Sequence, residues 1–167
     1  MRNEMTQQDI AQIREELHRR RTELMPRQLQ AVQEARAFGD LSENFEYKAA
    51  KMELNKNKSR IRYLQRMLDN AVVISDRSRD GVIGLFDRVE AEMVDMDERV
   101  TLRIVTSMRA NALEGLITKD SPVGRAIFGH RVGDVVHVQV RPDFGYDLKI
   151  LSIQKEEDDG SIKISEY

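Results

Sequence analysis

Two carboxylates, Asp40 and Glu43, stand three residues apart in the short acidic stretch Gly39-Asp40-Leu41-Ser42-Glu43-Asn44. Carboxylate oxygens are ligands that Mg²⁺ prefers, but this ion takes about six oxygens in near-octahedral order. The pair by itself is therefore an incomplete metal site. It would act chemically by completing a metal site, or by orienting a water, inside another macromolecule.

The rest of the sequence offers few groups for catalysis. It contains no cysteine, and its three histidines, His18, His130 and His137, are too scattered to hold a zinc ion. It also lacks a glycine-rich phosphate loop, a Ser-His-Asp order and an HExxH motif. We predict that Asp40 and Glu43 are the best candidates for chemistry, and that His130 and His137 are a surface residue and a strand residue.

Asp40 and Glu43 also have the spacing of a helix capping box. In that interpretation both side chains accept hydrogen bonds from backbone N–H groups at a helix start and favour the positive end of the helix dipole. Spacing alone favours capping, because caps are found at most helix starts. Phe45 and Tyr47 follow directly, and we expect them to be partly exposed near the acids. Exposed aromatic side chains beside carboxylates suggest contact with another molecule.

A long helical pattern precedes the acidic stretch, from about Thr6 to Phe38, and Thr6 with Asp9 resembles a helix-opening cap. The spacing slips around Arg20-Arg21 and at Pro26, so we predict a bend or a local change in packing there. Gly39 suits the left-handed conformation that ends a helix. The predicted apolar stripe consists of Ile10, Ile13, Leu17, Leu24, Ala31 and Ala35, with Leu29 and Val32 beside it.

A second helical pattern runs back to about residue 70, and Asp40 or Ser42 is its predicted cap. Its apolar residues follow alternating steps of three and four, which is typical of a coiled-coil seam. We interpret the one polar member, Asn57, as a residue that fixes register. Two antiparallel helices at ~1.5 Å per residue make a rod of roughly 45 Å, most of which should project into solvent. The seam contains Tyr47, Ala50, Leu54, Asn57, Ile61, Leu64, Leu68 and Ala71.

The helical periodicity ends near residue 75, and a polar stretch that ends at Gly81 marks a domain boundary. We predict a coiled-coil hairpin over 1–75, with its tip at 39–44, and a second domain over 76–167. Ser121, Pro122 and Gly129 mark a short helix as its cap, first residue and exit. Strand patterns cover 82–94, 99–106, 135–140, 146–153 and 161–165. The predicted fold class is α+β, with the hairpin followed by a small antiparallel sheet and one short helix.

Within the second domain, the acidic run 156–159 is predicted to be a solvated turn. The predicted core contains Ile83, Val89, Met93, Val100, Leu102, Ile104 and Val105.

The composition, 40% apolar and 34% charged, is typical of a soluble protein. No apolar run approaches 18 residues and the N-terminus lacks a signal-peptide core, so we predict a cytoplasmic protein without membrane contact. Residues 1–75 hold 14 Lys and Arg against 11 Asp and Glu, and residues 76–167 hold 13 against 18. This balance excludes a generic nucleic-acid binder. We interpret most basic residues of the hairpin as a solvated face, but Arg36, Lys48 and Lys51 lie near the tip and could touch phosphates.

Two stretches resemble signatures of the bacterial transcript-cleavage factors of the GreA/GreB family, and the resemblance is greater to GreA. The first is residues 34–51, which contain Gly39-Asp40-Leu41-Ser42-Glu43-Asn44-Phe45-Glu46-Tyr47. The second is Ser121-Pro122-Val123-Gly124-Arg125-Ala126-Ile127-Phe128-Gly129, followed by Gly133-Asp134-Val135-Val136. They stand in the family's order and separation, and the resemblance covers nearly the whole chain. Phe45 departs from the pattern, because the family commonly has alanine there.

The resemblance implies a C-terminal domain of FKBP-like fold that docks at the rim of the secondary channel of RNA polymerase. The hairpin would reach through the channel, where Asp40 and Glu43 help to hold the second catalytic Mg²⁺ and a water. The polymerase itself would then cut a backtracked nascent RNA near its 3′ end by two-metal chemistry. The chain would thus be a transcription elongation factor rather than an enzyme, with Mg²⁺ present only in the polymerase active site. An intramolecular seam favours a monomer.

The resemblance also assigns supporting residues. Those around the tip acids are Gly39, Leu41, Ser42, Asn44, Phe45, Glu46 and Tyr47. Those predicted to contact RNA or polymerase are Arg36, Lys48 and Lys51. Those predicted to dock on the polymerase are Asp120, Ser121, Pro122, Gly124 and Arg125.

Two alternatives keep the same fold. The first is a homologue that occupies the polymerase channel and inhibits or regulates without promoting cleavage, although intact Asp40 and Glu43 favour a cleavage factor. The second is a prolyl isomerase, which only the fold suggests. Such pockets need an aromatic lining, and the second domain has no tryptophan; its aromatic residues are Phe86, Phe128, Phe144, Tyr146 and Tyr167.

Overall fold

The computed structural model describes residues 2–39, 43–75 and 78–166. The chain forms two compact units: the first contains Met1–Asn3 and Ile10–Ala71, and the second contains Glu4–Asp9 and Val72–Tyr167. Strand β1 (Asn3–Met5) pairs with strand β2 (Ala71–Val73) in a two-stranded sheet. Neither strand is predicted from the sequence, because three residues are too few to show an alternating pattern. The predicted division after residue 75 stays a prediction.

The first arm of the helical hairpin contains a change of helix type. Helix α1 (Gln7–Arg19) leads into the π-helical segment Arg20–Leu24, and α2 (Met25–Arg36) follows. Pro26 lies in the first turn of α2. Because proline has no N–H to donate, the regular α-helical hydrogen bonds cannot continue through this position. The predicted local change near Arg20-Arg21 and Pro26 is therefore confirmed, as a π-helical turn.

Helix α3 (Phe45–Asp69) is the second arm and runs antiparallel to the first. Near the tip, the Asn44 side chain donates to the Ala35 carbonyl at 2.6 Å. Far from the tip, Arg60 Nε donates to Glu16 Oε1 at 2.9 Å. Residues late in the first arm thus meet residues early in the second, and the predicted antiparallel hairpin is confirmed.

The predicted seam of α3 is largely buried, including Asn57 at 2% exposure. On the first arm, Ala31 and Leu29 are exposed, whereas Val32 and Ala35 are buried. The prediction for Ala31 is wrong because a π-helical turn holds more residues than an α-helical one, which rotates the following helix face. The other buried members of the seam are Tyr47, Leu54, Ile61 and Leu64; Ala50 and Leu68 are half-buried, and Ala71 lies in β2.

The second unit contains a five-stranded mixed sheet in the order β5-β4-β3-β7-β6. Strand β5 is parallel to β4, and the other neighbours are antiparallel. The predicted purely antiparallel sheet is wrong in this one pairing. The chain passes through two short 3₁₀ turns after β4, and a crossover of that length lets β5 return in the direction of β4. The strands are β3 (Arg88–Met93), β4 (Glu98–Val105), β5 (Leu116–Thr118), β6 (Val135–Arg141) and β7 (Phe144–Gln154).

Two predicted strand segments have no strand structure. Residues 82–87 form turns that lead into β3, and residues 161–165 are irregular. The Ser165 N–H donates to the Met108 carbonyl at 2.7 Å, but Ser161–Ser165 is not part of the sheet. The prediction of strands here rests on β-branched residues, but these segments do not form the hydrogen bonds of a β-sheet.

Alternate residues of three neighbouring strands face one core, which helix α4 (Pro122–Ile127) covers through Ile127. This alternation is the signature of a sheet with one buried face. The predicted core residues Met93, Val100 and Leu102 pack against it while partly exposed. The buried members are Ile83, Val89, Ala91, Ile104, Ile127, Val136, Val138, Leu148 and Ile150.

Candidate functional site

The tip of the hairpin carries most of the predicted site, but three of its residues, Asp40, Leu41 and Ser42, lie outside the described part of the chain. Gly39 has φ +124°, a conformation that residues with a Cβ rarely adopt, so the chain leaves α2 through a glycine as predicted. Glu43 is exposed. The catalytic and metal-binding roles of Asp40 and Glu43 stay predictions.

The start of α3 decides against the capping box. The N-cap is Asn44, whose Oδ1 accepts a hydrogen bond from the Tyr47 N–H at 2.9 Å. The predicted cap, Asp40 or Ser42, is therefore wrong. Glu43 precedes the N-cap, so it cannot occupy the third helical position that a capping box requires. The helix start is satisfied by an amide, and the Glu43 carboxylate is not needed for it.

Asn44 also ties the two arms together. Its Nδ2 donates to the Ala35 carbonyl at 2.6 Å, in the last turn of α2, where helix carbonyls lack partners within the helix. One side chain thus satisfies a donor at the start of α3 and an acceptor at the end of α2. This arrangement holds the residues on both sides of the tip acids in place.

Tyr47 is surrounded by cations at the tip. It is only 8% exposed, so the expected partial exposure of this ring is wrong. Arg36 Nη2 donates to the Tyr47 hydroxyl at 3.3 Å, and the Arg36 guanidinium lies 5.4 Å from the ring centroid. The Lys51 ammonium lies 5.7 Å from the same centroid. The hydrogen bond from Arg36 is the main reason that the pKa of the Tyr47 hydroxyl lies below its ordinary value.

Two phenylalanines at the tip are exposed. Phe45, the first residue of α3, is 81% exposed, and Phe38, just after α2, is 78% exposed. The Lys48 ammonium lies 5.6 Å from the Phe45 ring centroid. The predicted exposure of Phe45 is confirmed. All three cations predicted near the tip, Arg36, Lys48 and Lys51, therefore lie beside an aromatic ring.

The predicted docking residues lie at the start of α4. Ser121 is the N-cap, as predicted: its Oγ accepts from the Gly124 N–H at 3.0 Å and donates to the Thr118 carbonyl at 2.7 Å. A Cβ on Gly124 would collide with the Thr118 carbonyl. Ser121 and Gly124 thus shape the turn. Asp120, Pro122 and Arg125 are exposed and available to a partner.

Among residues 2–39, 43–75 and 78–166, no group of three or more Asp, Glu, His or Cys side chains could hold a metal ion. Within the same residues, no helix is long and apolar enough to cross a membrane. His130 is exposed and His137 lies on β6, as predicted.

Buried ion pairs are the features that the sequence reasoning missed. Asp158 is 9% exposed and pairs with Arg109, so the predicted solvated turn at 156–159 is wrong at this residue. Glu156 of the same run pairs with Arg88 and Arg103. Of the acids in these pairs, Asp9 is singled out in the sequence, but only as part of a helix cap. That cap is confirmed: the Thr6 N–H donates to Asp9 Oδ2 at 2.9 Å, and the Asp9 N–H donates to Thr6 Oγ1 at 3.3 Å.

Comparison with known proteins shows similarity along nearly the whole chain. The family profile described as transcription elongation factor, N-terminal, matches residues 3–73, and that of transcription elongation factor, GreA/GreB, C-terminal, matches residues 78–155. Transcription elongation factor GreA of Nitrosococcus oceani is 38% identical over 81% of this chain and 87% of its own. The factor of the same name from Sinorhizobium medicae is 38% identical over 90% and 95%.

Among solved structures, the GreA factor homolog 1 (Gfh1) protein of Thermus thermophilus is 29% identical and aligns over 93% of this chain and 100% of its own, with a TM-score of 0.44. The family assignment depends on the sequence relatives and the family profiles.

Proposed function

The chain belongs to the GreA/GreB family of transcription elongation factors, and we propose that it binds RNA polymerase and stimulates cleavage of backtracked nascent RNA. The second unit would dock on the polymerase through Asp120, Pro122 and Arg125, and the hairpin would enter the secondary channel. The chain would act in the cytoplasm as a monomer, because its helical seam is satisfied within one molecule. It would rescue arrested complexes without being an enzyme by itself.

The observation that supports this proposal best is that Asn44, and not an acidic side chain, caps α3 at the tip. Asn44 caps α3 and ties it to α2, so the helix start does not require the Glu43 carboxylate. An exposed acid beside a rigid helix start is suited to an external ligand. Asp40 and Glu43 would hold Mg²⁺ together with polymerase oxygens, because two carboxylates alone cannot complete its coordination. That ion would position the water that attacks the RNA phosphate.

Cleavage of labelled RNA in a backtracked elongation complex of the cognate polymerase, with Mg²⁺, tests the proposal. The wild-type chain should accelerate cleavage, and Asp40→Ala/Glu43→Ala should abolish the acceleration while still competing for polymerase. Glu53→Ala removes an exposed acid that pairs with exposed Lys56, and it should behave as the wild type. If the wild type binds polymerase without accelerating cleavage, the chain is instead a regulator that occupies the channel.

A further inference from the structure

The hairpin tip exposes two large apolar side chains that do not belong to the apolar cluster of its described residues. Phe38 and Phe45 are 78% and 81% exposed, whereas Phe86, Phe128 and Phe144 are 0%, 44% and 47% exposed. The interior of the hairpin near the tip is filled by other residues, namely Val32, Ala35, Tyr47 and Leu54. Exposed phenyl rings carry a hydration cost, so their presence on both sides of the acidic stretch indicates a ligand with an apolar face.

The backbone of Phe45 is held by the start of α3. Asn44, the preceding residue, bonds both to the Tyr47 N–H and to the Ala35 carbonyl. These bonds fix the backbone from which the Phe45 side chain leaves. A side chain that leaves a fixed backbone loses less conformational entropy on binding than one on a mobile segment.

The charges around the ring discriminate between classes of ligand. The Lys48 ammonium lies 5.6 Å from the Phe45 centroid, and Arg36 and Lys51 lie close to Tyr47 on the same end of the hairpin. Burying Phe45 in an apolar protein pocket would also remove water from Lys48, and removing water from a charge is costly unless the pocket supplies it with a partner. A nucleotide avoids this cost, because its base stacks on the ring while its phosphate meets the cation.

We propose that Phe45 stacks on the unpaired base at the 3′ end of backtracked RNA, assisted by Phe38, which precedes the acidic stretch. This inference rests on the proposed function, since it requires the tip to reach that RNA. Stacking would hold the RNA end beside Asp40 and Glu43, so Phe45 is a positioning residue. Because stacking strength differs among bases, the effect should be greater for a 3′ purine than for a 3′ pyrimidine.

The test uses 2-aminopurine at the RNA 3′ end of a backtracked complex, whose fluorescence falls when the base stacks. The wild-type chain should quench it beyond the level of polymerase alone. Phe45→Ala and Phe45→Leu should lose the quenching, whereas Phe45→Tyr should keep it, because only an aromatic ring offers a π face. Met52→Ala, which shortens a 57% exposed side chain elsewhere on α3, is the matched control and should quench as the wild type.

Cleavage rates at subsaturating factor provide the second readout. Phe45→Ala should slow cleavage of a 3′-purine RNA on the order of tenfold, and that of a 3′-pyrimidine RNA less. If Phe45→Leu keeps the wild-type quenching and the wild-type cleavage rate for all bases, the side chain contacts the polymerase and the stacking proposal is wrong. Cleavage stimulation without quenching would reject stacking and leave the proposed function standing. Quenching without stimulation would support stacking and reject the cleavage function.

Discussion

Arg60 in the hairpin and Arg109 in the second unit are both buried arginines paired with carboxylates, but their surroundings have opposite charge balances. Arg60 donates to both oxygens of Glu16, at 2.9 and 3.2 Å, and Glu16 also accepts from Arg20 at 2.7 Å. Two arginines thus share one acid. Arg109 pairs with Asp9 at 2.6 Å and with Asp158, so one arginine serves two acids.

The two networks also differ in their access to water. The Arg20 side chain retains 18% exposure and Glu16 retains 10%, whereas Arg109 and Asp9 have none. In the hairpin, Arg20 also donates to Asn57 at 3.1 Å, which gives the polar member of the seam a partner at the π-helical turn. A partner lost from the hairpin network can be replaced in part by solvent, but a partner lost from the dry network cannot.

The network of Arg109 joins parts of the second unit that are remote in sequence. Its Nη2 donates to Thr6 Oγ1 at 3.1 Å, and Thr106 donates to Asp9 at 2.9 Å. Its guanidinium lies 5.0 Å from the ring centroid of buried Phe86, a residue with φ +65°. The start of α1, the segment after β4 and the C-terminal segment therefore meet at one charge. From this comparison we expect exclusion of water, more than the number of ion pairs, to decide what a buried arginine contributes to stability.

The largest effect is expected for Arg109→Met. It leaves Asp9 and Asp158 buried without their cation, and the free energy of unfolding should fall by about 3–5 kcal/mol. Chemical denaturation of the full chain measures this change. Arg99→Met, on an exposed position of β4, is the matched control and should change stability little. A loss from Arg109→Met no larger than that of the control would show that the dry network contributes nothing.

Arg60→Met should cost less, about 1–3 kcal/mol, because Glu16 keeps Arg20 as a partner and retains some access to water. The same denaturation experiment measures it. Arg62→Met, at an exposed position of the same helix, provides the comparison. If Arg60→Met destabilises as much as Arg109→Met, exposure does not distinguish the two networks.

Acid should weaken both networks. Burial is the largest single influence and would raise the pKa of Asp158. The hydrogen bonds and charge of Arg109, together with the hydrogen bonds from Gly160 and Thr6, outweigh burial, so this pKa lies below its ordinary value of 3.8. The pKa of Glu16 is lowered in the same way by Arg60 and Arg20. A depressed carboxyl pKa stabilises the fold fully above the ordinary value, and this contribution disappears as the pH falls through the folded value.

The free energy of unfolding should therefore decrease below about pH 4. Denaturant titrations between pH 7 and pH 3 measure how steeply the free energy of unfolding falls with pH. Asp158→Asn should make this dependence on pH weaker and should lower the free energy of unfolding at neutral pH. A slope unchanged by this substitution would count against Asp158 as a source of the acid sensitivity.

The smallest effect is expected from an exposed pair on the sheet, His137 and Asp147, whose atoms Nδ1 and Oδ1 lie 2.7 Å apart. The hydrogen bond with Asp147 is the main reason that the pKa of His137 lies above its ordinary value. Asp147→Asn should lower this pKa in an NMR titration and leave the unfolding midpoint unchanged, because exposed pairs contribute little. A clear loss of stability would weaken the argument that dryness matters most.

Features that depend on a few neighbouring residues were determined by the sequence alone. The reciprocal cap of Thr6 and Asp9, the cap of α4 by Ser121 and the glycine exit at Gly39 all follow from side chains that bond within three residues or from backbone freedom. The heptad seam of α3 is likewise a local periodic signal. These features were enough to predict the hairpin and the position of its tip.

Other features were decided only by the tertiary structure. The sequence offers several polar residues that could cap α3, and Asn44 is selected because its amide also reaches Ala35 across the hairpin. Tyr47 becomes buried because it packs against Val32 and Ala35 of the other arm. Asp158 becomes buried because its cation, Arg109, stands 49 residues earlier in the chain. Local propensity cannot reveal such a partner, since the free energy of burying a charge depends on which remote group the fold brings beside it.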